Sequence, residues 1–221
     1  MERLDLQFYI DNSNKFLYMP IAKNAHTKLT EAFCNASWFY ISNLAPADLK
    51  DLLANKNIFC VLRDPLERWI TAFITCCLSI ETPEGRANLP ADSVKLLDRF
   101  CQLLTKDVKS SFIYFFSRNK FNLDWHTQLQ IEYIQLIDLE KITFFYLNDN
   151  TGSQIRQWLA SVNIDLPLDD KKINPMFLNR PLYVNLVAFL ADPGNIEHKQ
   201  KLLEYLQPDY NLINSVKFYA G

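Results

Sequence analysis

The apolar run NIFCVL at residues 57–62 passes directly into RDPLERWITAF, and that junction constrains the fold more than any other stretch of the chain. An apolar run of strand length suits a buried parallel strand. The residues after it are helix-start signals. Asp64 can cap, Pro65 suits the first helical position, and Glu67 follows Asp64 by three as in a capping box. Leu66, Trp69, Ile70, Phe73 and Cys77 then repeat at the spacing of a core-facing helix stripe. A strand running straight into a helix is half of a βαβ unit, and the alternation recurs along the chain. Strands are predicted at 15–21 (KFLYMPI) and 142–147 (ITFFYL). Helices are predicted at 27–38, 46–54, 92–105, 107–118, 152–162, 182–191 and 195–206, with an extended, proline-marked stretch at 164–181. The pattern predicts an α/β fold: a mostly parallel central sheet flanked by helices, with a helix-rich C-terminal part. No repeat or Pro/Gly/Ser linker interrupts residues 1–221, which are predicted to form a single domain.

Composition removes several function classes. The chain has only four glycines, Gly85, Gly152, Gly194 and Gly221, which lie too far apart to form GxGxxG or GxxxxGK[ST]. A standard dinucleotide fingerprint and a standard Walker A loop are therefore excluded. Lys+Arg total 23 against 25 Asp+Glu, a net charge of −2. Nucleic acid is not expected as a partner, although a local basic pocket stays open. The five cysteines form no CxxC pair and the three histidines are scattered, so no metal is expected. The cysteines read as buried, reduced thiols of a cytosolic protein. The longest uncharged apolar stretch, WITAFITCCLSI, has 12 residues, short of the ~20 that span a bilayer. The charged start MERLDLQFYIDN is not a signal peptide. A soluble, cytoplasmic protein with no membrane span is expected.

Chemistry concentrates in two segments. In FLYMPIAKNAHTKLTEAF, residues 16–33, a strand leads through a six-residue loop to a helix. The helix N-terminus offers free backbone N–H groups and a positive dipole end, to which an anion is the natural partner. Lys23 adds a mobile charge and Thr27 a hydroxyl, in the layout of a phosphate loop without its glycines. An ordinary strand–helix connection with a solvated lysine explains this stretch equally well. In the second segment, FCVLRDPLERWITAF, Arg63 stands at the carboxyl end of a strand, where open α/β sheets place their ligands. Its guanidinium forks onto phosphate. Thr71, eight residues on, turns to within about 80° of the helix start.

Taken together, the two segments resemble the cofactor motifs of sulfotransferases that use 3′-phosphoadenosine 5′-phosphosulfate (PAPS), in particular the carbohydrate-type branch and its bacterial-like members. IAKNAHTKL is similar to I-P-K-N-A-C-T-S-[LI], with Ala22, His26 and Lys28 departing. RDPLERWITAF is similar to R-[DN]-P-x-x-R-x-x-S-x-[FY], matching at Arg63, Asp64, Pro65, Arg68 and Phe73, with Thr71 for serine. LDWHTQ (123–128) and LEYLQPDYNLI (203–213) are weaker echoes of the same branch.

The resemblance implies a P-loop-NTPase-like sulfotransferase fold and PAPS as cofactor. Lys23 would touch the sulfate and bridging oxygen. Thr27 and the backbone of Asn24, Ala25, His26, Thr27 and Lys28 would hold the 5′-phosphate, and Arg63 and Thr71 the 3′-phosphate. The reaction is a metal-free in-line displacement by a hydroxyl or amine of a small-molecule or glycan acceptor. His126, in a polar turn, is the leading candidate for general base, with His26 second and Asp or Glu open. Two rivals stand beside this reading: a non-catalytic nucleotide-binding or interaction protein with the same fold, and a P-loop-like small-molecule kinase.

Overall fold

The computed structural model describes residues 4–44, 46–166, 168 and 180–220. The predicted extended stretch at 164–181 falls largely outside the described residues. The chain divides into two compact units. One comprises residues 1–63, 130–173 and 213–221, and the other residues 64–129 and 174–212.

The first unit holds a five-stranded sheet: β1 (Leu4–Ile10), β2 (Phe16–Tyr18), β3 (Phe39–Leu44), β4 (Asn57–Leu62) and β5 (Ile142–Tyr146), in the spatial order β3-β1-β2-β4-β5. β2 and β5 both run parallel to β4. β1 runs antiparallel to both of its neighbours. The sheet is therefore mixed, which corrects the expectation of a mostly parallel one. The physical reason is the turn at Asp11, which reverses the chain within five residues, and so short a connection can join only antiparallel strands. β1 and β3 were assigned to no strand by the sequence reading.

Asp11 builds that turn. It is 5% exposed. Its Oδ1 accepts from the N–H groups of Lys15 and Phe16, both at 2.8 Å. Its Oδ2 accepts from the Ser13 N–H at 2.9 Å and from the Ser13 hydroxyl. Asn14 takes a left-handed φ of 57°, which asparagine tolerates.

Helices α1 (His26–Asn35), α2 (Pro46–Leu53), α7 (Gln130–Ile134) and α8 (Thr151–Ala160) belong to this unit. α1 buries Leu29, Ala32 and Phe33. Phe33 lies 4.9 Å from Tyr18 of β2 and 4.3 Å from Trp38, ring centre to ring centre. Ile155 and Leu159 of α8 bury into the same cluster. From Ile58 to Leu62 every residue of β4 is buried, as a strand covered on both faces requires.

The second unit is helical: α3 (Pro65–Ser79), α4 (Pro83–Ala87), α5 (Ala91–Leu104), α6 (Val108–Ser117), α9 (Pro181–Ala191) and most of α10 (Ile196–Ser215). α3 starts as its capping signals predict, with the Asp64 carboxylate accepting from the Glu67 N–H at 2.8 Å. It is buried almost all round, Arg68, Thr71 and Ala72 included, where the sequence pattern predicted only a stripe. Trp69 and Phe73 stack on each other at 5.3 Å, Trp69 meets Phe121 edge-on, and Phe73 meets Phe100 edge-on and Phe115 at a tilt. Phe112, Phe115 and Phe116 of α6 are fully buried and serve core packing. Among the described residues no helix is long and apolar enough to cross a membrane. Cys60, Cys76 and Cys77 are buried and Cys101 is partly so, whereas Cys34 is exposed, contrary to a uniformly buried set.

The Asp11 turn carries a pH signature. Burial raises the Asp11 carboxyl's pKa, but the Ser13 hydroxyl and the backbone N–H groups of Phe16, Lys15 and Ser13 outweigh it, and the net value lies below the ordinary one. A lowered folded value stabilises the protein above the unfolded pKa of ~4, and that contribution disappears as pH falls through the folded value. Asp11→Ala is expected to cost about 1–3 kcal/mol at neutral pH in denaturant unfolding. The gap to wild type should narrow once the pH drops below ~4.

Candidate functional site

β2 and β4 run parallel, so their carboxyl ends lie at one end of the sheet. The ladder continues one residue past β2, where the Met19 N–H donates to the Phe59 carbonyl at 3.0 Å. Residues 19–25 then connect β2 to α1, and Arg63 is the first residue after β4. The strand is shorter than predicted, and His26 opens α1 instead of belonging to the loop.

The loop backbone is unusual for residues that are not glycine. Lys23 has φ 68° and Ala25 has φ 62°, both left-handed, while Asn24 between them is not. A left-handed non-glycine residue costs about 1–2 kcal/mol. Successive residues of opposite hand turn main-chain N–H groups toward one side and form anion-binding concavities. Ala25 is the N-cap of α1 and supplies no side-chain bond, and the first turn contains no acidic residue. The helix's own sequence therefore leaves its positive end uncompensated. In that turn Thr27 is exposed, and His26 and Lys28 are partly buried, as is Lys23 in the loop.

A buried amide network ties this loop to Arg63. Asn24 is fully buried, and its Nδ2 donates to the Val61 carbonyl at 2.8 Å and to Gln130 Oε1 at 2.6 Å. Gln130 Oε1 also accepts from the Arg63 N–H at 3.0 Å, and its Nε2 donates to the Arg63 carbonyl at 3.0 Å. The Arg63 guanidinium, through Nη1, donates to the Lys23 carbonyl at 3.4 Å. Lys23, Asn24, Ala25 and Arg63, predicted from two segments 40 residues apart, are thus one constellation in the first unit. Among the described residues Asn24 Oδ1 is a buried acceptor with no donor.

Thr71 and His126 belong to the second unit. The Thr71 hydroxyl donates to the carbonyls of Arg68, at 2.8 Å, and Glu67, at 3.2 Å, within α3. Arg68 is fully buried, and its Nη2 donates to the Gln128 carbonyl at 2.6 Å, holding the segment that carries His126. The hydroxyl of Tyr205, on α10, donates to the Thr127 carbonyl at 3.0 Å and fastens the same segment.

His126 has a partner that the sequence reading did not identify. Its Nδ1 lies 2.6 Å from Asp124 Oδ2, and the Trp125 ring centre is 3.7 Å from its own. Asp124 Oδ1 accepts from the His126 N–H at 2.9 Å and from the Cys76 thiol at 3.2 Å. Burial pushes the Asp124 pKa up. The bond and charge of His126, with help from Cys76 and the His126 backbone N–H, more than reverse this and hold the carboxyl below its ordinary range. An ionised carboxylate only accepts, so the proton of a neutral His126 sits on Nδ1 and Nε2 is the basic nitrogen. The cue in the sequence was the D-x-H spacing of Asp124 and His126.

Cys76, Asp124 and His126 also present three ligand atoms within 4.8 Å of one another, a cluster the sequence did not predict. Its internal contacts at 2.6 and 3.2 Å are hydrogen bonds, which a metal ion would have to replace. No family model matches the chain, and no curated protein or solved structure matches it significantly.

The strained loop makes its own prediction. An Ala-to-Gly change ordinarily destabilises by about 0.5–1 kcal/mol, but at Ala25 the relief of left-handed strain offsets that cost. Ala25→Gly should stay within about 1 kcal/mol of wild type in urea unfolding, whereas Ala25→Val should lose at least about 2 kcal/mol. A Gly variant that loses more than the Val variant would show that the loop does not hold this conformation.

Proposed function

We propose that the chain is a PAPS-dependent sulfotransferase of the carbohydrate type, moving a sulfuryl group to a hydroxyl or amine of a small-molecule or glycan acceptor. The observation that carries this reading is the pairing of a strained, uncapped helix entrance with Arg63 at the end of the neighbouring parallel strand. The chemistry of the donors fits a bisphosphorylated nucleotide. The Asn24 N–H already donates to the Ile21 carbonyl at 3.1 Å, so the 5′-phosphate contacts are assigned to the backbone N–H groups of Ala25, His26, Thr27 and Lys28 at the start of α1. The Arg63 guanidinium is suited to forked contact with the 3′-phosphate. When bound, the cofactor supplies a sulfuryl group on a phosphate leaving group.

In this reading Lys23 stabilises the negative charge that develops on the bridging oxygen, and its placement is set by the left-handed backbone beneath it. Thr27 adds a hydroxyl donor, and Thr71 is assigned to the 3′-phosphate by resemblance. His126 is assigned as the acceptor's base from the sequence resemblance, and within its own unit Asp124 holds Nδ1–H and leaves Nε2 as the basic nitrogen. His26, in the first turn of α1, is assigned to phosphate contact and is second in line as base.

Thermal unfolding tests the reading directly. Adenosine 3′,5′-bisphosphate at about 100 times its Kd adds roughly 2.7 kcal/mol, or about 5–10 °C for a chain of this size. The shift is expected with the bisphosphate, not with ADP, and should shrink strongly in Arg63→Ala as the affinity falls to a weaker, still measurable value. A shift with magnesium–ADP alone would favour a kinase, and no shift with either nucleotide would sink the nucleotide-binding reading. Turnover tests the base: His126→Ala should lower kcat about 10²–10⁴-fold while leaving bisphosphate affinity within about twofold. Binding without turnover in wild type would point to a non-catalytic protein.

A further inference from the structure

Three hydrogen bonds of the completely buried Gln130 side chain go to the two segments that form the candidate phosphate site. Its carboxamide meets both the N–H and the carbonyl of Arg63, as a residue of a neighbouring strand would. In effect it pairs the backbone one residue beyond the end of β4. The same Oε1 accepts from Asn24, whose Nδ2 also reaches the Val61 carbonyl of β4. The loop, the end of β4 and the start of α7 are thereby joined through two buried amides.

We infer that Gln130 is a positioning residue, which holds the loop at 19–25 and the backbone of Arg63 in one frame so that loop N–H groups and guanidinium face a single ligand. The consequence for ligand binding rests on the nucleotide-binding reading above. The chemistry requires a carboxamide: a donor and an acceptor on one planar group satisfy both the N–H and the carbonyl of Arg63. An ionised glutamate would keep the accepted bonds but set its second oxygen against the Arg63 carbonyl. Methionine would fill the volume and supply no strong bond. Leaving the Arg63 and Asn24 groups unsatisfied in the interior is costly enough to move them. Displacements of about 1 Å at a binding site lower rates by as much as 10²-fold.

Two readouts test the inference. The first needs no ligand: amide hydrogen exchange in wild type, Gln130→Met and Gln130→Glu. Faster exchange at Arg63 and across residues 19–25 is expected in both variants, with β1 and α8 unchanged. Unchanged protection at Arg63 and the loop overturns the inference, and so does uniform loss of protection, which marks general unfolding. The second is a double-mutant cycle on adenosine 3′,5′-bisphosphate affinity by calorimetry. Gln130→Met should weaken binding at least about tenfold in the wild-type background, but less than about twofold when Arg63→Ala is already present. An equal loss in both backgrounds, or none in either, overturns it. If wild type binds no bisphosphate, the nucleotide reading fails, and the exchange data alone decide whether Gln130 sets the frame. Should Gln130→Met not fold, Gln130→Glu, which keeps size and two of three bonds, carries both measurements.

Discussion

The candidate site in the first unit depends on β4 being paired in parallel on both sides. Tyr18 of β2 lies opposite Phe59, and Leu62 lies opposite Tyr146 of β5. A strand with both ladder edges used and both faces buried cannot slide, because a one-residue slip would exchange the two faces of the sheet. That fixed register determines where the chain leaves the sheet. Because β2 points the same way as β4, the loop after Tyr18 and the arginine after Leu62 emerge side by side. The antiparallel half of the sheet plays no part in this. β1 and β3 extend the sheet on the other side of β2, away from β4.

Scarcity of glycine shapes how the chain turns. Among the described residues, the non-glycine positions with left-handed φ are Asn14, Lys23, Ala25, Ser37, Asn55, Asn119 and Asn163. Asparagine tolerates this conformation, and its four occurrences are ordinary turn chemistry. Lys23 and Ala25 lack that tolerance, and they fall two residues apart in the loop that leads into α1. Strain that clusters where no local chemistry demands it is the pattern associated with functional sites. Buried polar side chains hold the remaining irregular backbone: Asp11 at the hairpin, Asp124 beneath His126, and Asn24 with Gln130 at the loop. Each satisfies several backbone groups that lie outside regular ladders.

Local signals were readable where a few adjacent residues settle the outcome. Asp64, Pro65 and Glu67 start α3 at the position their types require, and the run at 57–62 is β4 residue for residue. The strand at 15–21 came out shorter, because Pro20 has no N–H to donate. β1 alternates from Leu4 through Leu6 and Phe8 to Ile10, but the charged residues around and within it weaken the strand signal. β3 carries Phe39 and Tyr40 on an exposed edge, 61% and 50% accessible, so burial left no clean alternation to read. α3 looked amphipathic because Arg68 and Thr71 are polar, yet both are buried. Arg68 meets a carbonyl 60 residues away, and Thr71 bonds to its own helix.

The sequence by itself determined the chemical inventory and the local geometry. It placed a lysine loop and an arginine each between a strand and a helix, with no glycine fingerprint, and it set a histidine two residues after an aspartate. Those features follow from residue type and short spacing, which local backbone physics converts into structure without outside help. Only the tertiary structure decided that the sheet is mixed, that Lys23 and Arg63 adjoin, and that a glutamine 67 residues beyond Arg63 closes the network between them. Those outcomes depend on which distant backbone groups lose water together and must then find one another. No spacing along the chain encodes that, because the partners are chosen by burial and strand register.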